Sequence, residues 1–292
     1  MAKIFDTREA ITLCDSIPNM RVANFVINRG YRYPGLASSS LKSQFSTSPH
    51  DETVRREITE ATEVVTFKNL NNIKLNVITP ETPLYTATER DLPSHWESLP
   101  WWSILWPGGY SLTEFLFKNR SIFEGRNIFD FACGCGVSSI AAAQVGAKRV
   151  VANDIDMYAL CSTALNCKIN DINVSSTDFV EKTHGVVDLL IDDIVGTDLL
   201  LFKDNSDPPD VIIAGDIFYD DTIAKAVLPW FKYMKCTHNT EIYFGDPDRW
   251  VLQKMSASER SELFVKVDTT IFDADYSHEH NGISEAHVYK IK

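Results

Sequence analysis

The 292-residue sequence predicts an α/β fold, in which a mostly parallel sheet of seven strands has helices on both faces and ends in a C-terminal antiparallel hairpin. Two observations predict this fold. From residue 126 onward, short apolar runs alternate with segments of helical length, which is the pattern of a parallel sheet covered on both faces. Near the C-terminus, two longer alternating runs follow each other closely, as in the arms of a hairpin. The expected architecture is therefore Rossmann-like.

The predicted elements follow in a regular order. Strands are expected at residues 128–131, 149–153, 187–191, 211–214, 241–244, 264–272 and 285–291. Helices are expected at residues 137–145, 157–170 and 222–235, the last of them despite an internal proline. Upstream, residues 51–60 form a candidate surface helix, and residues 64–67 and 73–78 are expected to form a hairpin around Asn71 and Asn72.

These elements divide the chain into three parts. Residues 101–292 form the predicted α/β domain, and residues 51–100 form an N-terminal elaboration of it. Residues 1–50 are expected to be a transit peptide or a disordered tail, because the stretch between Asp15 and Asp51 is rich in Arg and Ser and lacks acidic residues. The presequence pattern improves if translation starts at Met20. On composition alone, an organellar and a cytoplasmic location both stay open.

Charge and cysteine content exclude several classes of function. With 40 acidic and 28 basic residues, the net charge is -12, which would repel the phosphates of a nucleic acid. No uncharged apolar run approaches the roughly 20 residues that cross a bilayer. The six cysteines show no zinc-finger spacing. We therefore expect no nucleic-acid partner, no membrane partner and no metal site.

The most informative local pattern is the sequence Asp-Phe-Ala-Cys-Gly-Cys-Gly at residues 130–136. It places Asp130 at the end of a strand and Gly134 and Gly136 in a turn before a helix, where small residues let the backbone approach a nucleotide-type ligand. Asp154 ends the next predicted strand, where a carboxylate can accept hydrogen bonds from both ribose hydroxyls. The combination predicts a cofactor that contains a ribose.

Two classes of cofactor could occupy such a turn. Dinucleotide sites need the spacing GxGxxG, with backbone amides facing a pyrophosphate, and residues 132–138 lack that spacing. An acidic residue at the entrance of the turn, as at Asp130, suits a ligand that carries an ammonium and a sulfonium group. The predicted cofactor is therefore S-adenosyl-L-methionine.

Several motifs together resemble a known family. They are the segments at residues 106–109 (Trp-Pro-Gly-Gly), 130–136, 152–156, 215–220 and 245–249. This set is similar to that of the seven-β-strand protein-lysine methyltransferases with a D-x-x-Y motif, and the resemblance runs from about residue 79 to the C-terminus. The sequence differs from the family pattern at Ala132, where many methyltransferases have glycine, and in a longer stretch around residues 177–207.

The resemblance assigns the D-x-x-Y motif to Asp216 and Tyr219, which are the predicted catalytic residues. Both follow the fourth predicted strand, at the carboxyl edge where ligands of α/β sheets bind. Asp216 could hold the ammonium of a lysine, and Tyr219 could orient it through its aromatic face or a hydrogen bond. The structural alternative is that Asp216 caps the next helix and Tyr219 fills the core.

Other residues are assigned to the cofactor. Trp106 resembles the family tryptophan that packs beside it, although a core role is the alternative. Ile155 is expected to lie against the adenine, and Asp193, after the third strand, is a candidate for the adenine amino group. Asp246 and Arg249 match a family motif after the fifth strand, and an ion pair that stabilises the turn would also explain them.

The resemblance implies a protein-lysine methyltransferase. Within that family it points to the members that act on the electron transfer flavoprotein β subunit in mitochondria, so this protein partner and the mitochondrial matrix are expected. Two alternatives stay open: a catalytically silent scaffold that binds the cofactor, and a methyltransferase that acts on another protein.

Overall fold

A computed structural model describes residues 51–88, 91–96, 99–176, 186–202 and 207–292. The predicted transit segment, residues 1–50, and two parts of the divergent stretch at residues 177–207, namely 177–185 and 203–206, lie outside these residues.

From residue 127 onward, most of the described strands are separated by helices. The strands are β1 (Glu63–Phe67), β2 (Ile73–Val77), β3 (Asn127–Phe131), β4 (Arg149–Asp154), β5 (Asn173–Ser176), β6 (Val186–Ile191), β7 (Val211–Gly215), β8 (Glu241–Asp246), β9 (Phe264–Ile271) and β10 (Glu285–Ile291). The helices are α1 (Glu52–Ala61), α2 (Pro107–Lys118), α3 (Arg120–Phe123), α4 (Val137–Gln144), α5 (Met157–Ile169), α6 (Asp221–His238), α7 (Trp250–Lys254), α8 (Ala257–Leu263) and α9 (Ala274–Glu279).

The main sheet confirms the predicted fold class. Its strand order is β5-β6-β4-β3-β7-β8-β10-β9. The first six strands in this order are mutually parallel, and β10 pairs antiparallel with both β8 and β9. All seven predicted strands are present, and the short edge strand β5 adds one more. The predicted hairpin of residues 64–67 and 73–78 is β1 paired with β2, as a separate small sheet.

Two apolar clusters cover the two faces of the main sheet. Ile128 of β3 belongs to the cluster that also contains buried residues of α2, α4 and α5. The next residue, Phe129, belongs to the opposite cluster, which contains buried residues of α6. Because neighbouring residues of a strand point to opposite faces, a strand covered on both sides is a continuous apolar run.

Helix α2 was not predicted from the sequence. It begins with Pro107 at its first position and continues through Gly108 and Gly109, two residues that weaken a helix pattern. The close packing of its first turn against β8 explains Gly108, whereas a Cβ atom at Gly109 would make only an ordinary contact, at 3.6 Å from Val137 Cγ1. A Cβ atom added at Gly108 would lie 2.5 Å from Asp216 Oδ2 and 2.7 Å from the carbonyl carbon of Gly245.

The N-terminal elaboration packs directly on α5. Asp51 caps α1 by accepting hydrogen bonds from the amides of Thr53 and Val54, and α1 buries Val54 and Ile58 in a cluster with residues of α5. From β2, the amide of Asn76 donates to Asn166 Oδ1 at 2.7 Å. Residues 51–77 thus share buried contacts with the sheet domain.

Among the described residues, no helix combines the length and apolar character needed to cross a membrane.

Candidate active site

The turn after β3 is built from residues in the left-handed conformation. Ala132, Gly134 and Gly136 have φ angles of 55°, 53° and 76°. A Cβ atom at Gly136 would lie 2.6 Å from Thr163 Cγ2, so glycine is required there by both conformation and space. Ala132 adopts the conformation that a glycine would take more easily, which explains why the family pattern has glycine at this position. The backbone therefore follows the predicted cofactor-binding path.

Asp154, at the end of β4, holds this turn in place. One carboxylate oxygen accepts a hydrogen bond from the amide of Gly134 at 3.0 Å, and the other accepts one from the amide of Asp156 at 3.0 Å. An ionised carboxylate offers about four lone-pair positions, so each oxygen can also accept a ligand hydroxyl. Burial raises the pKa of Asp154 to about 6.

Asp130 lies below the turn and is only 1% exposed. Its Oδ2 accepts a hydrogen bond from Ser139 Oγ of α4 at 2.6 Å. Burial raises the pKa of Asp130 to about 7, and the charge of Asp154 contributes in the same direction. The largest causes of both pKa shifts are burial, hydrogen bonds and neighbouring acidic groups, and no basic side chain is among them.

These observations fit S-adenosylmethionine. Two buried carboxylates whose charge is not compensated favour a cationic ligand, and this cofactor carries a sulfonium and an ammonium group. The free acceptor positions of Asp154 suit its ribose hydroxyls. Asp130, Gly134, Gly136 and Asp154 would hold the cofactor through these groups.

The residues assigned to the adenine lie at the neighbouring strand ends. Ile155 directly follows Asp154, and 50% of it is exposed. Asp193 is exposed and lies two residues beyond Ile191, which pairs with Asp154 in the sheet. Among the residues that the structure describes, the carboxylate of Asp193 accepts one long hydrogen bond, from the amide of Val195 at 3.4 Å. Both side chains are therefore accessible at the edge where the adenine is expected.

Trp106 lies on the other side of the turn, immediately before α2. Its indole nitrogen donates a hydrogen bond to the carbonyl of Trp101 at 3.1 Å. The guanidinium carbon of Arg249 is 5.3 Å from the centre of its ring, which is cation–π distance. Trp106 is partly buried and lies against Arg249, the partner of Asp216.

Asp216 follows β7 with a φ of 55° and is 7% exposed. Its Oδ2 accepts a hydrogen bond from the amide of Gly109 at 3.0 Å, in the first turn of α2. Its Oδ1 accepts hydrogen bonds from Arg249 Nε at 3.0 Å and Nη2 at 2.6 Å. The helix that follows, α6, is capped instead by Asp220. Asp216 therefore joins two distant segments at the carboxyl edge.

Tyr219 is 49% exposed and does not fill the core. Its ring stacks on Trp101 with the ring centres 6.3 Å apart. The indole nitrogen of Trp250 donates to the carbonyl of Tyr219 at 2.8 Å. Sequence reasoning assigned no role to Trp101 or Trp250, although the tryptophan density at residues 96–106 was a signal. We call Trp101, Trp106, Tyr219 and Trp250 the aromatic rim.

Asp246, at the end of β8, is fully buried. Its Oδ1 accepts a hydrogen bond from the amide of Arg249 at 2.6 Å, while the guanidinium of Arg249 pairs with Asp216 rather than with Asp246. Burial raises the pKa of Asp246 to about 7, although the charge of Arg249 lowers it. Asp246 thus fixes the turn that places Arg249 on Asp216.

The sheet order explains why these groups meet. β3, β7 and β8 are adjacent and parallel, so the cofactor turn, Asp216 and Asp246 share one carboxyl edge, where ligands of such sheets bind. The residues described contain no group of three or more side chains suited to holding a metal ion.

Comparison with known proteins places this site in a family. Residues 115–207 match the family described as ribosomal protein L11 methyltransferase (PrmA). The electron transfer flavoprotein beta subunit lysine methyltransferase homolog of Caenorhabditis elegans is 34% identical over 75% of this chain and 88% of its own length. The Danio rerio enzyme of that name is 33% identical over 74% of this chain and 75% of its own.

The fold, the acidic cofactor turn and these relatives define the chain as an S-adenosylmethionine-dependent methyltransferase. More narrowly, it belongs to the electron transfer flavoprotein beta subunit lysine methyltransferase family.

Proposed function

We propose that this chain methylates lysine side chains of the electron transfer flavoprotein β subunit in mitochondria. The observation that carries a lysine methyltransferase activity is the position of Asp216 and Tyr219 beside the cofactor turn. The choice of protein substrate is supported by the relatives from Caenorhabditis elegans and Danio rerio, whose names specify the electron transfer flavoprotein beta subunit. The mitochondrial location is supported by the composition of residues 1–50, which is rich in Arg and Ser.

The cofactor supplies an electrophilic methyl group, and the chain supplies position and charge. Asp154 is placed to accept the ribose hydroxyls, and Asp130 contributes negative charge below the turn. The aromatic rim provides a half-exposed apolar surface, of which Tyr219 and Trp250 are the most exposed members. An aliphatic lysine stem can pack on such a surface while its amine reaches Asp216.

The amine must lose a proton before it can react. With a lysine pKa of about 10.4, deprotonation near pH 7.5 costs roughly 4 kcal/mol at ~1.4 kcal/mol per unit. Because Arg249 already compensates the charge of Asp216, the pair attracts a cationic ammonium less than a lone carboxylate would. The Asp216–Arg249 pair therefore favours the neutral amine.

The direct test is methyl transfer by the purified full-length chain from S-adenosylmethionine, labelled in its methyl group, to the purified flavoprotein β subunit. Mass spectrometry should locate the label on lysine side chains, and Asp216→Asn should abolish the signal. Cofactor binding without transfer to any protein would instead identify a silent scaffold. Transfer to a different protein of a mitochondrial extract, with none to the flavoprotein subunit, would reject the substrate.

The location has its own test. Import with processing should produce a mature N-terminus near residue 45 in the endogenous protein, as read by mass spectrometry. An endogenous chain that retains Met1 would contradict import with cleavage.

A further inference from the structure

Three carboxylates lie at the ends of β7 and β8, and their partners are unequal. Asp216 is paired with Arg249. Asp248 accepts hydrogen bonds from Arg260 at 2.6 Å and from Tyr289 at 2.5 Å. Within the described part of the chain, Asp246 has one side-chain hydrogen bond, from the amide of Arg249 to its Oδ1. Of the three carboxylates, Asp246 is thus the one that forms no ion pair with a described residue.

The second oxygen of Asp246, Oδ2, is buried and has no hydrogen-bond partner among the described residues. A buried carboxylate oxygen without a partner is unfavourable, and such groups in folded proteins call for an explanation. Two explanations are available: the oxygen carries a proton, or it receives a donor when a ligand binds.

The position of Asp246 connects it to the methyl-transfer site. Gly215 of β7 pairs in register with Gly245 of β8, so the next residues, Asp216 and Asp246, stand at the same level of the carboxyl edge. Neighbouring strands are about 4.8 Å apart. The backbones of the two aspartates are therefore about one strand spacing apart, and the charge of Asp216 acts on Asp246, so a lysine amine held at Asp216 is in the neighbourhood of Asp246.

We propose that Asp246 accepts the proton that the substrate lysine must lose before methyl transfer. This inference rests on the proposed lysine methyltransferase function. The N–H bond of the ammonium breaks, its electron pair stays on nitrogen, and an O–H bond forms at Oδ2. The ammonium and the carboxylate become a neutral amine and a carboxylic acid, and the acid later releases its proton to water.

The surroundings of Asp246 suit a group that changes its proton near neutral pH. Burial raises its pKa to about 7, the charges of Asp216 and Asp248 act in the same direction, and the charge of Arg249 opposes them. From the antiparallel neighbour β10, His287 stands opposite Asp246 in register. Burial lowers the pKa of His287. A base is most effective when its pKa lies near the working pH.

The first experiment compares wild type, Asp246→Asn and the control Asp248→Asn in methyl transfer to the flavoprotein subunit between about pH 6 and pH 9. In wild type, kcat should rise through an inflection near pH 7, and Asp248→Asn should keep the inflection, moved to slightly lower pH because one charge that raises the pKa of Asp246 is removed. In Asp246→Asn, kcat at about pH 7 should fall about 100-fold, and the inflection should be lost, while the Kd for S-adenosylmethionine is unchanged. An inflection near pH 7 that persists in Asp246→Asn overturns the proposal.

A substrate with a less basic amine provides a rescue. Aminoethylcysteine in place of the target lysine has a less basic amine, which loses its proton more easily. This substrate should therefore raise the turnover of Asp246→Asn by a larger factor than the turnover of wild type. A purely structural role for Asp246 would give equal effects in both proteins and would reject proton acceptance.

The second experiment needs neither turnover nor a variant. Carboxyl-carbon NMR of ligand-free wild type, with Asp246 assigned through the backbone, should show it titrating near pH 7. Titration in the ordinary range of an aspartate overturns the inference. Absence of any methyl transfer by wild type rejects the proposed function instead, and the titration still decides the charge state of Asp246.

Discussion

The ion pair between Arg249 and Asp216 should make a measurable contribution to the free energy of unfolding. Arg249→Gln removes both hydrogen bonds to Oδ1 and leaves Asp216 with only the amide of Gly109. The side chain of Asp216 is 8% exposed, so water cannot replace the lost partner. Removing one member of a buried pair costs about 3 to 5 kcal/mol, and we expect a loss of that size in the free energy of unfolding.

Urea unfolding of the ligand-free protein measures this loss, with Arg120→Gln as the matched control. Arg120 pairs with Glu124 at 3.2 Å, and both side chains are more than half exposed, so the control should lose no more than about 0.5 kcal/mol. The double variant with Asp216→Asn should recover about half of the loss, because no buried charge remains. Equal losses in Arg249→Gln and Arg120→Gln would refute the conclusion that Arg249 and Asp216 form a buried, stabilising ion pair.

Further predictions concern the cofactor turn and its neighbours. Asp154→Ala should weaken S-adenosylmethionine binding at least about 100-fold in calorimetry, because two hydrogen bonds to a charged acceptor are worth ~3 kcal/mol or more; unchanged affinity would contradict the ribose assignment. Asp216→Asn should keep that affinity and lose methyl transfer, so a parallel loss of binding would argue against a role restricted to the substrate. Ala132→Gly should raise the free energy of unfolding by up to about 1 kcal/mol, since it relieves the left-handed conformation; a loss of stability would contradict that conformation. Finally, burial raises the pKa of Asp130 to about 7, above its unfolded value, so this group should contribute a loss of about 2 kcal/mol to the stability of the ligand-free wild type as the pH rises from about 5 to about 7. Asp130→Asn should reduce the pH dependence by that amount, while Asp154 and Asp246, whose pKa values are also raised by burial, keep a dependence of the same sign; an unchanged slope in urea unfolding at the two pH values would reject the prediction.

The sequence predicted the parts of the site that depend on local pattern. The turn at residues 130–136 and the carboxylate of Asp154 lie within one strand-turn-helix-strand unit, where spacing and residue type determine position. Five of the seven predicted strands are parallel and could be predicted because buried parallel strands are continuous apolar runs. The other two, β9 and β10, are antiparallel and were predicted from their alternating pattern. Strand β5 escaped prediction since Asn173–Ser176 has only one strongly apolar residue.

The partners of Asp216 could not be predicted in the same way. Its hydrogen bonds come from Gly109, 107 residues away, and from Arg249, 33 residues away. Residue type alone left open whether Asp216 caps a helix, and the folded chain uses Asp220 for that purpose. Helix α2 was not predicted because Gly108 and Gly109 weaken a helix pattern. Gly108 is needed where α2 approaches β8 closely, and no local sequence pattern reveals that contact.

The contacts of α1 bear on how the chain could be shortened. Glu57 of α1 accepts hydrogen bonds from Tyr158 Oη at 2.6 Å and from Trp96 Nε1 at 3.1 Å. Tyr158 lies in the first turn of α5, directly after the loop that follows Asp154. A processing peptidase that cuts near residue 45 would leave these hydrogen bonds intact, whereas a cut beyond Glu57 would leave two partly buried donors without this acceptor. The contacts of Tyr158, beside the loop that follows Asp154, therefore set the limit for N-terminal trimming, although Tyr158 lies about a hundred residues further along the chain than Glu57.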